Sequence, residues 1–241
     1  SGDEKGREEH PRPDPEYRKG QGSGPNVQEG AAMMGKPVII YGKSGSGKSR
    51  SLKNFAKDEI FLVNVEGKDL PFRGKFEYTY RSDNYEKIKQ QLSKMPLKTA
   101  VIDDAGYLLT NMFMSRHSAV AKGNATFELY NDIGDEFWKL IRFIKLSLPE
   151  DTIVYLMMHE DVKDSGEVQL KTIGRLLDEK VNIQGMVTIV LRCMSQDGKH
   201  FFRTHTDGMD ITKSPEDMFE SNEIDNDLKF VDQKIREYWE I

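Results

Sequence analysis

The chain has 241 residues, of which 37% are hydrophobic and 31% charged, with a formal net charge of −5 at pH 7. That length suits one large domain with tails, and no apolar stretch approaches the roughly 20 residues of a membrane-spanning helix. A single cysteine, Cys193, excludes an internal disulfide. With no signal peptide at the head, it points to a soluble protein in a reducing, intracellular setting. The acidic balance is local: residues 210–241 carry ten acids against four bases, which leaves the rest of the chain at +1. A near-neutral core leaves room for basic patches, so nucleic acid is not excluded.

Residues 1–34 are rich in Gly, Pro and charge, with Pro11, Pro13 and Pro15 alternating, and predict a disordered tail. The apolar run Pro37–Tyr41 then reads as a buried strand. It delivers Gly42, Lys43, Ser44, Gly45, Ser46, Gly47, Lys48 and Ser49, the G-x-x-x-x-G-K-S phosphate-binding loop, with Arg50 opening a helix expected to run to Lys57. The glycines let backbone N–H groups converge on an anion at a helix N-terminus. Lys48 suits the β- and γ-phosphates of ATP, and the Ser49 hydroxyl suits Mg2+.

Ile60–Val65 predicts a second strand ending at Glu66, and Phe76–Tyr80 a short edge strand. Ser82 or Asp83 can cap a helix reaching Lys94, with Tyr85, Ile88 and Leu92 inward. Thr99–Ile102 is the next strand and presents Asp103 and Asp104 at its end. A polar, mobile-looking stretch from Asn111 to Ala125 precedes an amphipathic helix over 126–147. Thr152–Met158 predicts a fourth strand, ending at His159 and Glu160, followed by a polar loop over 161–171. A short helical piece over 173–181 and a strand over 186–193 come next. Asp197-Gly198 turns into a hairpin strand over 199–204, and a terminal helix spans about 225–239.

Alternating strands and helices followed by a hairpin give an α/β, mostly parallel sheet flanked by helices, with a C-terminal antiparallel extension. Its predicted domains are the tail (1–34), a core (35–212) and an acidic C-terminal segment with its helix (213–241). Ligands in such sheets sit at the carboxyl ends of strands, where the phosphate loop, Glu66, Asp103-Asp104 and His159 converge. Asp103, ending an apolar strand, is the expected magnesium ligand alongside Ser49. Two carboxylates, Glu66 and Asp104, compete to activate water.

The run Phe61–Leu70 resembles the strand of the RecA family that ends in a catalytic glutamate, which places the base at Glu66. His159 lies where that family puts a polar γ-phosphate sensor, commonly glutamine. Over about residues 37–210 the chain looks like the phage-encoded Sak-type ATPases, minimal RecA-core single-strand annealing recombinases. Val101–Leu108, Met158–Glu160 and Lys171–Leu177 carry that likeness. It implies a RecA-like ATPase in the host cytoplasm that binds single-stranded DNA and assembles as a homo-oligomeric filament or ring. Two DNA-facing loops would then offer Arg116, His117 and Lys122, and Lys163, Lys171 and Arg175. Lys199 and Arg203 are candidates to act in trans on a neighbour's phosphate. The acidic tail is either a solvated helix end or a contact for a single-strand-binding protein. A small-molecule P-loop kinase, or a non-hydrolysing ATP switch or loader component, are the alternatives.

Overall fold

The computed structural model describes residues 34–120, 123–173 and 181–241. Six parallel strands form the centre: β1 (Lys36–Gly42), β2 (Phe61–Asn64), β3 (Tyr78–Arg81), β4 (Thr99–Asp103), β5 (Ile153–Val162) and β7 (Ile189–Gln196). β8 (Lys199–Arg203) and β9 (Glu223–Asp225) add antiparallel at one edge, and β6 (Val168–Leu170) pairs back onto β5. The order is β3-β2-β4-β5-β1-β7-β8-β9.

Both faces of the central strands are buried, so their sequences are continuous apolar runs. Successive side chains still alternate between faces. Ile39, Tyr41, Ile102, Leu156 and Met158 pack under three helices, α1 (Tyr85–Lys94), α2 (Gly106–Arg116) and α3 (Asn124–Ser147). Val38, Ile40, Val101, Tyr155 and Met157 face the other way, toward α4 (Leu228–Trp239). The terminal helix is therefore part of the core. Its Asp227 caps the first turn by accepting from the Lys229 and Phe230 amides. Its buried Asp232 accepts from the Tyr155 hydroxyl at 3.0 Å and from Arg236 at 2.8 Å. No described helix is long and apolar enough to cross a membrane.

The expected strands are present, but four connections differ from expectation. The helix foreseen after the phosphate loop is only a 3-10 turn, Ser49–Leu52; the Ser51 hydroxyl donates to the Lys48 carbonyl at 2.6 Å. The foreseen mobile stretch from Asn111 is in its first part the end of α2, because Leu108 and Leu109 bury against the core with Met112 and Phe113 beside them. The polar loop after β5 is a hairpin: β5 continues to Val162 and β6 returns in register, Glu160 opposite Leu170. Short β9 had no periodic signal at all. Helix α1 is capped by Asn84, whose side chain accepts from the Lys87 amide, not by Ser82 or Asp83. Residues 1–33 of the foreseen tail over 1–34, and 174–180 of the foreseen helix over 173–181, lie outside the described residues.

Candidate active site

β5 lies between β1 and β4, so the phosphate loop and the Asp103-Asp104 pair flank the end of β5. In register, Gly42 is opposite His159. The loop itself depends on two close approaches. A Cβ on Gly42 would sit 2.2 Å from the Cys193 carbonyl oxygen, and one on Gly47 2.7 Å from His200 Nδ1. Gly47 also has φ of +107°, a conformation side chains resist. Lys48 is buried and donates to the carbonyls of Gly42 and Lys43, both at 2.9 Å. Burial pulls its ammonium below the ordinary value, while Cys193, Asp104 and Asp103 pull the other way.

The Ser49 hydroxyl donates to both carboxylate oxygens of Asp103, at 3.0 and 2.9 Å, closing the span from β1 to β4. Burial, then the neighbouring Asp104 charge, hold the Asp103 carboxyl above its usual range despite the Ser49 bond. Asp104 takes the left-handed conformation, φ of 59°. Burial alone would raise its carboxyl too, but His159 and Lys68 outweigh that and lower it. His159 Nε2 stands 3.4 Å from one carboxylate oxygen and the Lys68 ammonium bonds the other.

A phosphate loop on one strand, bonded across an intervening strand to an aspartate at the tip of another, is a nucleotide site. A family model described as an AAA domain matches residues 34–216 of this chain. The chain belongs to that family. No curated protein sequence matches it. The AAA domain is a P-loop ATPase-type module that binds nucleotide.

The AAA domain's loop is held from behind by residues the sequence reading did not credit. His200 Nδ1 donates to the Ser46 carbonyl at 2.7 Å, and the Cys193 thiol donates to the same oxygen at 3.3 Å. Asn226 donates to the Gly47 carbonyl at 3.2 Å, and accepts from Arg50 at 3.2 Å. Burial pushes the Cys193 thiol up to about 11, so it is a neutral structural donor. These partners lie 147 to 179 positions along the chain, beyond any motif spacing. Lys68 likewise had no signal; it was visible only as one charge in a run.

Other expected residues fall into place unevenly. Lys43, Ser44 and Gly45 are exposed on the loop, while Ser46 is buried. Glu66 ends up exposed beyond β2, where Asn111 of α2 donates to it at 2.9 Å and to Asp83 at 3.2 Å. Arg116 stands 3.7 Å from Asp132, and Lys163 pairs with Glu167 at 2.8 Å. Lys171 is exposed, and its amide bonds the His159 carbonyl at 2.8 Å. Lys122 and Arg175 lie outside the described residues. Lys199 is exposed on β8, whereas Arg203 pairs within the chain to Asp207 at 2.8 Å and Asp210 at 3.6 Å. Directly after His159, Glu160 accepts twice from Arg192, at 2.9 and 3.1 Å, and Arg192 also reaches buried Asp210 at 3.3 Å.

Proposed function

We propose that the AAA domain hydrolyses ATP and couples turnover to a single strand of DNA, as a recombination or annealing protein. The observation that carries the hydrolytic part is the Ser49–Asp103 bond, which brings the two expected magnesium ligands to one point. The loop suits a triphosphate: buried Ser46 Oγ has no partner among the described residues, and Gly45 and Gly47 hold positive-φ backbone that lets the loop curl around an anion. Ser49 and Asp103 would hold Mg2+, which neutralises charge on the transferring phosphoryl group when bound. Lys48, which donates to the Gly42 and Lys43 carbonyls, would turn to the phosphate oxygens when nucleotide is bound. Glu66 activates the attacking water, with Asp104, anchored by His159 and Lys68, as the competing carboxylate.

The coupling part is supported by the chain path. His159 sits at the nucleotide edge, and the hairpin that continues from it is bonded back to its carbonyl through the Lys171 amide. Movement of His159 on phosphate release therefore reaches the hairpin carrying Lys163 and Lys171. Lys199 and Arg203 remain the candidates for a neighbour's site in a ring or filament. One observation favours the loader or switch reading: Arg116 and Lys163 already have acidic partners, which weakens their pull on phosphates. Measuring ATP turnover with and without an oligonucleotide separates the two. Stimulation by DNA, lost in Glu66→Gln, supports the proposal. Turnover that ignores DNA, or no turnover with retained ATP binding, sinks it in favour of the switch.

A further inference from the structure

The turn that follows β2 is tied directly to the tip of β4. The Val65 amide donates to the Asp103 carbonyl at 3.4 Å, and the buried Asn64 side chain donates to the Lys68 carbonyl at 2.7 Å. Gly67, with φ of +67°, supplies the left-handed residue that this tight return needs. The turn thereby carries the Lys68 ammonium back to the Asp103-Asp104 pair.

There Lys68 bonds one Asp104 oxygen, and its ammonium stands 5.7 Å from the centre of the Tyr107 ring. Tyr107 lies edge-on to His159, which faces the other Asp104 oxygen. The cluster is closed around Asp104 but not around Lys68. The Lys68 side chain is 59% exposed against 8% for Asp104, and Asp104 is the only charged group bonded to it among the described residues. An ammonium has three donors, so it can take another acceptor without giving up this aspartate. Burial alone would lower its proton affinity, but Asp104 and then Asp103 outweigh that and keep it charged.

Lys48 is drawn by the same two carboxylates from the phosphate-loop side. Two ammonium groups thus bracket one aspartate pair, one from the loop after β1 and one from the turn after β2. In the sheet, β5 and β4 lie between those two strands. The loop after β1 holds the phosphates nearest to it. A cation arriving from β2 can meet only the end of the phosphate chain that projects toward β4, where Ser49 and Asp103 come together. We infer that Lys68 is a substrate-binding residue: it takes the terminal phosphate, and through it the site prefers a nucleoside triphosphate to a diphosphate. This rests on the reading of the loop as an ATP site, but on neither hydrolysis nor DNA.

The test is calorimetric titration of the full chain, in magnesium, with ATPγS and with ADP in separate experiments. The wild type should bind ATPγS more tightly. Lys68→Met should weaken ATPγS about tenfold, the size of one charge-assisted hydrogen bond, and ADP by less than about twofold. Lys68→Arg, which keeps the charge, should recover most of the difference. A double variant separates contact with phosphate from mere anchoring of Asp104. In an Asp104→Asn background, the loss caused by Lys68→Met should persist at about the same size; its disappearance there would overturn the inference. Equal losses for ATPγS and ADP, or no loss for either, would overturn it as well. A wild type that binds neither nucleotide removes the ATP reading and this inference together, whereas a triphosphate preference that survives Lys68→Met removes this inference alone.

Discussion

Asp103→Asn should make the protein more stable and useless. In the folded chain the Asp103 carboxylate is buried beside Asp104, with Ser49 as its hydrogen-bond donor. Two effects oppose each other. Removing the charge weakens the Ser49 bond from a charge-assisted to a neutral one, a loss of about 1 kcal/mol. It also relieves desolvation and the repulsion from Asp104, and desolvation of a buried ion amounts to several kcal/mol before compensation. The raised position of the Asp103 carboxyl says that burial and repulsion win over the compensating contacts. The expected net gain is about 1 kcal/mol, inside the range of roughly 0.5–2 kcal/mol common for single stabilising substitutions. For a domain of this size that is a rise in melting temperature of roughly 2–4 °C at pH 7. The pH dependence has a definite sign. Because the folded-state value is raised, the wild type is fully stable in this respect only below the unfolded value, and loses that stability as pH rises through the folded one. The variant's advantage should therefore vanish at acid pH and grow above it. Thermal melts at several pH values, paired with titration of a fluorescent ATP analogue and magnesium, are the assay. Magnesium-dependent nucleotide binding should fall at least about tenfold, as loss of a charged ligand bond implies. A lower melting temperature at pH 7 would refute the reasoning, since Asp103 would then be a net stabiliser in the nucleotide-free chain.

Three further outcomes follow from the packing. Gly42→Ala forces a methyl to within 2.2 Å of the Cys193 carbonyl oxygen and 2.7 Å of Ser46 Oγ. It should cost about 1–3 kcal/mol and lower ATP affinity, seen together in melts with and without nucleotide. Arg192→Met strands the buried carboxylate of Glu160 and leaves Asp210 with Arg203, at 3.6 Å, as its remaining charged partner. The expected loss is about 3–5 kcal/mol, a fall in melting temperature of roughly 6–20 °C; a change under about 2 °C would exclude this network as a structural element. Asn226→Ala removes a donor to the Gly47 carbonyl and the acceptor of Arg50. It should raise KM for ATP several-fold with little change in kcat, because it loosens the loop without touching the water-activating groups, and steady-state kinetics would show the split.

Much of the fold was legible along the chain because its signals are local. The strands with both faces buried read as apolar runs, β1 and β5 above all, and α3 and α4 as inward stripes, since each pattern depends only on neighbours within a few positions. The phosphate loop was legible for the same reason: eight consecutive residues carry its motif. Short elements defeated this reading. β6 and β9 have three residues each, too few to show a period, and they exist because β5 and β8 present open edges to pair with. The stretch from Asn111 to Ala125 looked mobile from its polar residues, but its first residues complete α2, whose Leu108 and Leu109 needed a core to bury against before the helix could be seen.

By itself, then, the sequence determined that a nucleotide-binding loop follows a buried strand and that acidic residues end other strands, since those features are written in contiguous residues. Only the tertiary structure decided which strand lies between them, and hence that His159 meets Asp104 while Glu66 is held by Asn111. It also decided that Cys193, His200 and Asn226 brace the loop from 147 or more positions away. The physical reason is that strand order and cross-sheet hydrogen bonds are fixed by how the whole sheet packs, and no local run of residues encodes that choice.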